Sequence, residues 1–139
     1  MICEHHAGDS IIVLVDNKDH GKRLESMIDG SVFVSSGTGK RSRKLDAFKA
    51  GNTPVLIATQ LADEGLDTPI AGVLILAAPG KAAGKVIQRT GRVLRPHPGK
   101  DKGIIYEFRD LSHGMLTAQH WGRIRTYKKL GYRIVRAAI

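Results

Sequence analysis

Three stretches of the chain are apolar without interruption: Ile11-Ile12-Val13-Leu14-Val15, Val55-Leu56-Ile57-Ala58 and Val73-Leu74-Ile75-Leu76. None alternates polar with apolar residues, so none has a face left for water. Strands of a parallel sheet covered on both sides read this way. Two shorter candidates, Ser31-Val32-Phe33-Val34 and the segment 103–108, bring the predicted strands to five. Between them the spacing changes to that of helices. Asp16 or Asn17 can cap a helix over Lys18 to Ile28, with Leu24, Met27 and Ile28 on its apolar side and Gly30 as its end. Arg41 to Ala50 places Leu45 and Phe48 inward and Arg41, Arg43, Lys44 and Lys49 outward, and Gly51-Asn52 stops it. Lys81 to Leu94 is a further helix that Gly84 and Gly91 weaken. His113 to Leu130, ended by Gly131, is the longest, and Tyr132 to Val135 reads as a short last strand.

This alternation of strand and helix predicts an α/β fold, an open parallel sheet with helices on both faces. Residues 1–9 form a polar tail, and residues 10–139 the domain. Cys3, His5 and His6 lack a second close Cys/His pair, so a frayed terminus is expected there and no metal site. His113 and His120 lie seven apart with no third ligand, which fits packing or capping. No apolar run approaches the roughly 20 residues of a membrane span, and a single cysteine fits a reducing, intracellular setting.

Charge adds what the apolar pattern omits. The net charge is +9. Residues 1–80 carry 8 Lys/Arg and 10 Asp/Glu, a net −2, whereas residues 81–139 carry 14 and 3, a net +11. An anionic partner follows: nucleotide, nucleic acid, or the acidic surface of another protein. Two places invite phosphate. Ser35-Ser36-Gly37-Thr38-Gly39-Lys40 follows a strand and is rich in glycine and hydroxyls. It departs from G-x-x-x-x-G-K-[ST] at Val34 and Arg41, so it is not a Walker A loop. It reads either as a simple turn or as a set of backbone N–H groups for a phosphate. The second place is Gln88-Arg89-Thr90-Gly91-Arg92-Val93-Leu94-Arg95. On a helix its three arginines share a face. Guanidinium forks that cannot deprotonate suit polyphosphate, and a solvated basic face is the alternative. Trp121 either packs in a core or interface or stacks on a base.

Ala58-Thr59, Gly65, Asp67 and Pro69 follow the second apolar run in the pattern A-T-x-x-x-x-x-G-x-D-x-P. Together with Gln88 to Arg95 this resembles motifs V and VI of the superfamily 2 helicases, the second motif reading Q/H-R-x-G-R-x-x-R there. Most of residues 10–110 is similar to the second RecA-like domain of that family, and the ending at Tyr127 to Tyr132 is similar to tails of phage and prophage helicases.

The resemblance implies an ATP-dependent helicase or translocase, of which this chain is one half. Arg92 and Arg95 would be arginine fingers. Arg89, Gln88, Gly65 and Asp67 would serve the nucleotide, Asp67 through a ribose hydroxyl or an arginine of motif VI. Thr59, Ser36 and Gly37 would hold a nucleic-acid strand by its phosphates. ATP and Mg²⁺ would be held mainly by a first domain with Walker A and B, motifs that these residues lack, so the chain alone would not hydrolyse ATP. Asp63-Glu64 stands where the RNA-directed DEAD-box branch has Ala-Arg, which favours DNA. The alternative is a stand-alone nucleic-acid-binding or regulatory module with a helicase-like fold.

Overall fold

All three continuous apolar runs are strands, and every residue of them is buried. A computed structural model describes residues 2–35, 41–59, 72–77, 103–108 and 114–135. Over these the chain runs α1 (Ile2–His5), β1 (Ile11–Val15), α2 (Lys18–Met27), β2 (Ser31–Val34), α3 (Arg41–Lys49), β3 (Val55–Thr59), β4 (Val73–Leu76), β5 (Ile104–Glu107) and α4 (Gly114–Lys129). They fall into two units, Met1–Glu107 and Phe108–Ile139.

The first unit is a five-stranded sheet in the order β2-β3-β1-β4-β5, parallel at every pair. The central strand β1 is at most 4% exposed at any residue. Successive strand residues point to opposite faces, so each apolar run feeds two layers. Ile12 and Leu14 join Val34, Leu56, Ala58, Leu74 and Leu76 on one face, where α3 adds Leu45 and Phe48. Ile11, Val13 and Val15 join Phe33, Val55, Ile57, Val73 and Ile75 on the other, against Leu24 of α2, Ile28, and Ile2 and Cys3 of α1. Helices cover both faces, as the unbroken apolar runs require.

Caps set the helix limits. The Asn17 side chain accepts the backbone N–H of His20 at 2.8 Å. At the end of α3, Gly51 takes φ +82°, which lets its N–H reach the Phe48 carbonyl at 3.0 Å and the Asn52 N–H reach Ala47 at 2.9 Å. The second unit repeats that device. Gly131, at φ +81°, donates to Lys128 at 3.1 Å, and Tyr132 donates to Tyr127 at 3.0 Å. Both satisfy carbonyls that a helix end leaves open. The Tyr127 and Tyr132 rings stack there at 5.9 Å.

The edge strand β2 is closed by charge. Phe33 donates its N–H to the Glu25 carboxylate of α2, and its carbonyl accepts from Lys44 Nζ of α3 at 3.2 Å. An open strand edge is a template for unwanted pairing, and here one side chain from each helical layer blocks it. Lys44 is thus bound to the sheet edge, not merely turned outward.

The start of the chain differs from expectation. Instead of fraying, it forms α1, and Ile2 and Cys3 pack on the sheet. Burial raises the Cys3 thiol above its ordinary pKa. His6 is buried between the Asp9 carboxylate, 3.0 Å from Nδ1, and the Tyr106 hydroxyl, 2.7 Å from Nε2. Because an ionised carboxylate only accepts, Nδ1 is the donor to Asp9. The polar start is thus held to the sheet by His6, through Asp9 and Tyr106. Met27, expected on the apolar side of α2, is exposed. Tyr132 to Val135 is not a strand. The helix expected over Lys81 to Leu94 lies outside the described residues, as does His113.

Gly21 is the buried residue of α2, and a Cβ there would sit 2.2 to 2.8 Å from three carbons of the Phe33 ring. Alanine gains about 1 kcal/mol of helix propensity, but overpacking costs about 1–3 kcal/mol. Gly21→Ala should therefore lower the urea midpoint, and adding Phe33→Leu should recover part of the loss. A midpoint equal to or above that of the parent chain would contradict this packing.

Candidate functional site

In an all-parallel sheet every strand ends on the same edge, so whatever the loops carry is gathered there. Here β1 passes into Asp16-Asn17, β2 into Ser35 and β4 into Ala77, while β3 ends on Thr59. At the ends of β1, β2 and β3 polar residues begin where the apolar runs stop. The connections also change direction at the centre: β1 leads across β3 to β2, and β3 leads back across β1 to β4. In open α/β sheets, ligands bind outside the carboxyl ends of the strands at such a reversal.

Thr59 stands level with Val15 of β1 and is 6% exposed. Its hydroxyl is fully buried and has no hydrogen-bond partner among the described residues. Leaving a buried polar group unpaired costs about 1–3 kcal/mol. Native folds keep few such groups, and each asks for a reason. Val34 pairs with Ala58, so the same register carried one residue further brings Ser35, also buried, level with Thr59. Beside them on the edge, exposed Asp16 accepts from the Asn17 amide at 3.1 Å.

Of the site residues that the resemblance implies, Thr59 is the one within the described part. Ser36, Gly37, Gly65, Asp67, Gln88, Arg89, Arg92 and Arg95 lie outside it. Ser35, the first residue of the loop that the sequence offers to a phosphate, is described as well, and it is the first polar residue after β2. The pairing of His6 with Tyr106, 100 residues apart, had no signal in the sequence at all. Among the described residues, no group of three or more His, Cys, Asp or Glu is gathered that could hold a metal ion. Among the same residues, no helix is long and apolar enough to cross a membrane.

Comparison with known proteins places this geometry. The family model described as "Helicase conserved C-terminal domain" matches residues 1–97, a span that takes in α1 and both motif stretches. The chain is 46% identical over 77 residues, 54% of its length, to "Putative helicase 22" of Sulfolobus islandicus filamentous virus, 14% of which is covered. It is 36% identical over 99 residues to the ATP-dependent RNA helicase dbp3 of Sclerotinia sclerotiorum, covering 67% of this chain and 16% of that protein. Among solved structures, the Hef helicase domain of Pyrococcus furiosus superposes with a TM-score of 0.61 at 26% identity, covering 87% of this chain and 26% of that one. The chain thus spans about a sixth of the length of these two curated relatives. The five-stranded parallel sheet is RecA-like, as the resemblance implied.

Valine is the near-isostere that deletes the orphaned hydroxyl. Thr59→Val should leave thermal stability unchanged or raise it, by up to about 1–3 kcal/mol if the whole penalty is recovered. Calorimetric unfolding measures this. A loss of more than about 1 kcal/mol would mean that the hydroxyl is paired, since that is the usual net worth of one hydrogen bond.

Proposed function

Because the chain belongs to the helicase conserved C-terminal domain family, we propose that it acts as the second RecA-like half of an ATP-dependent superfamily 2 helicase or translocase, completing a site that a Walker-bearing first half begins. The observation that carries this reading is the family match across residues 1–97. It contains Thr59 to Pro69 and Gln88 to Arg95, and the first of these stretches starts on the carboxyl edge of the sheet.

ATP with Mg²⁺, when bound, supplies the γ-phosphoryl group that is transferred to water. The ion would be held mainly by the first half. This chain's part is to neutralise and orient. Arg92 and Arg95 lie three residues apart. On a helix they point the same way, across the cleft at charge that develops in the transition state. Arg89 orients that stretch, and Gln88 serves the nucleotide. Gly65 lets backbone approach closely, and Asp67 accepts from a ribose hydroxyl or from an arginine. Thr59, with Ser36 and Gly37, meets the phosphates of a nucleic-acid strand. The orphaned Thr59 hydroxyl supports this role, because a donor held without a partner gains one when a phosphate or a rearranged loop arrives. The substrate is a nucleic-acid strand, with DNA favoured by Asp63-Glu64, and the setting is intracellular. By itself the chain does not turn over ATP.

The test joins this chain to its Walker-bearing half and measures ATPase stimulated by nucleic acid. Arginine fingers contribute about 10³ to 10⁵ in rate. Lysine keeps the charge and loses the fork, so Arg92→Lys and Arg95→Lys should each lose most of the stimulated turnover. Nucleotide affinity should fall much less, and Arg89→Lys should be milder. The separate 139-residue chain should show no Mg²⁺-dependent turnover. Near-normal rates in both finger variants would make the arginine stretch structural, and turnover by the separate chain would overturn the division into halves.

A further inference from the structure

Helix α4 belongs to the unit Phe108–Ile139, beyond the residues that the family model matches. It carries Arg123, Arg125, Lys128 and Lys129 and no Asp or Glu. Its buried residues, His120, Arg123 and Tyr127, mark one face. At 3.6 residues per turn, Gly114, Ala118, Trp121, Arg125 and Lys128 fall in a stripe about 80° wide on another, and all five are exposed.

Trp121 is the single tryptophan of the chain and is 43% exposed. Solubility alone would not put an indole there. The residues one and two turns before it on the stripe are Ala118 and Gly114, and the next residue is Gly122, so these neighbours have no side chain long enough to cover the ring. The Arg125 guanidinium reaches back to within 3.8 Å of where a Cβ on Gly122 would lie, beside the tryptophan's own turn. The indole meets the buried His120 ring edge-on, with centroids 5.2 Å apart. Lys128 and Lys129 in the last turn also suit the helix dipole. That accounts for neither Trp121 nor Arg125. A helix lying on a membrane would need a broad apolar face, and this stripe offers one indole.

We propose that the Trp121–Arg125–Lys128 stripe of α4 binds a single strand of nucleic acid. One unstacked base lies on the indole, and neighbouring phosphates meet Arg125 and Lys128. Base faces and phosphates are common to DNA and RNA, and both faces of a duplex base are already occupied, so the occupant is an unpaired strand of either sugar. Aromatic platforms combined with basic grooves are how single strands are held without sequence preference. The inference rests on reading the chain as part of a nucleic-acid motor, and it adds a strand contact outside the two motif stretches of the sequence.

Because Trp121 is the only tryptophan, its fluorescence reports the contact directly. The 139-residue chain is titrated with oligo(dT) and oligo(rU) of about 15 nucleotides, near the upper end of known single-strand site sizes. An abasic sugar–phosphate oligomer and polyglutamate serve as controls. Both nucleic acids should quench the emission saturably, and neither control should. With labelled oligomer, Trp121→Leu should weaken binding about tenfold, while Trp121→Phe, which keeps a ring, should retain most of it. Arg125→Ala with Lys128→Ala should flatten the log–log salt dependence by about 1.4, at about 0.7 per phosphate on single strands. Equal quenching by the abasic oligomer or by polyglutamate would overturn the proposal, and so would absence of binding by any oligomer. Oligomer binding that leaves the emission and the Trp121→Leu affinity unchanged would overturn the stripe while leaving the motor reading standing. Conversely, if Trp121→Leu loses binding while Thr59→Val in the joined enzyme keeps full stimulated ATPase, the stripe stands and the Thr59 role falls.

Discussion

The burial of β1 on both faces is the constraint from which the rest of this structure follows. Five consecutive apolar residues leave that strand no wet side, so one layer of helix cannot suffice. The chain must cover Ile12 and Leu14 with α3, and cover Ile11, Val13 and Val15 with α1 and α2. Each fully buried residue of this kind is worth about 1.5–3 kcal/mol, which leaves no room for a polar side chain inside the strand. Polar chemistry is thereby pushed to the ends of the strands. Because the sheet is parallel, the carboxyl ends collect on one edge.

Two polar arrangements show how strictly the interior is otherwise kept. The free N–H and C=O of Phe33 on edge strand β2 are met by Glu25 and Lys44 from opposite helical layers. His6 is buried with both ring nitrogens engaged, one by Asp9 and one by Tyr106. Against that background the unpaired hydroxyl of Thr59 stands apart. It is at the carboxyl edge, beside the central strand, and in the first of the two stretches that carry the family resemblance. Among the described residues, one buried hydroxyl left open beside these satisfied groups is consistent with a donor kept for something that binds.

Much of the architecture was legible because burial on two faces writes itself as an unbroken apolar run. β1, β3 and β4 were read that way, and Gly51 and Gly131 marked helix ends because each must enter the left-handed region. The start of the chain was not legible. Its stability comes from His6 meeting Tyr106 across 100 residues, and no local pattern announces a pairing at that distance. Tyr132 to Val135 has the residues of a strand but follows a helix cap whose Tyr132 N–H is bound to Tyr127 and whose ring stacks on the same residue. Met27 has helical spacing and yet is exposed, since periodicity identifies a face without fixing how far it is covered. Of the site, the sequence supplied the residue types and spacings, while the state of the Thr59 hydroxyl needed coordinates. Trp121 could be read as core or as platform until its exposure was known.

If chemistry is confined to the carboxyl edge of the sheet, amide resonances of the 139-residue chain should show it when a single-stranded oligonucleotide is titrated in. Asp16, Asn17, Ser35 and Thr59 lie on that edge, while Ser10, Ser31, Thr53 and Gly72 lie at the opposite ends of the same strands. The account predicts that the first group shifts and the second stays in place. Shifts concentrated on the second group, or on neither, would contradict it.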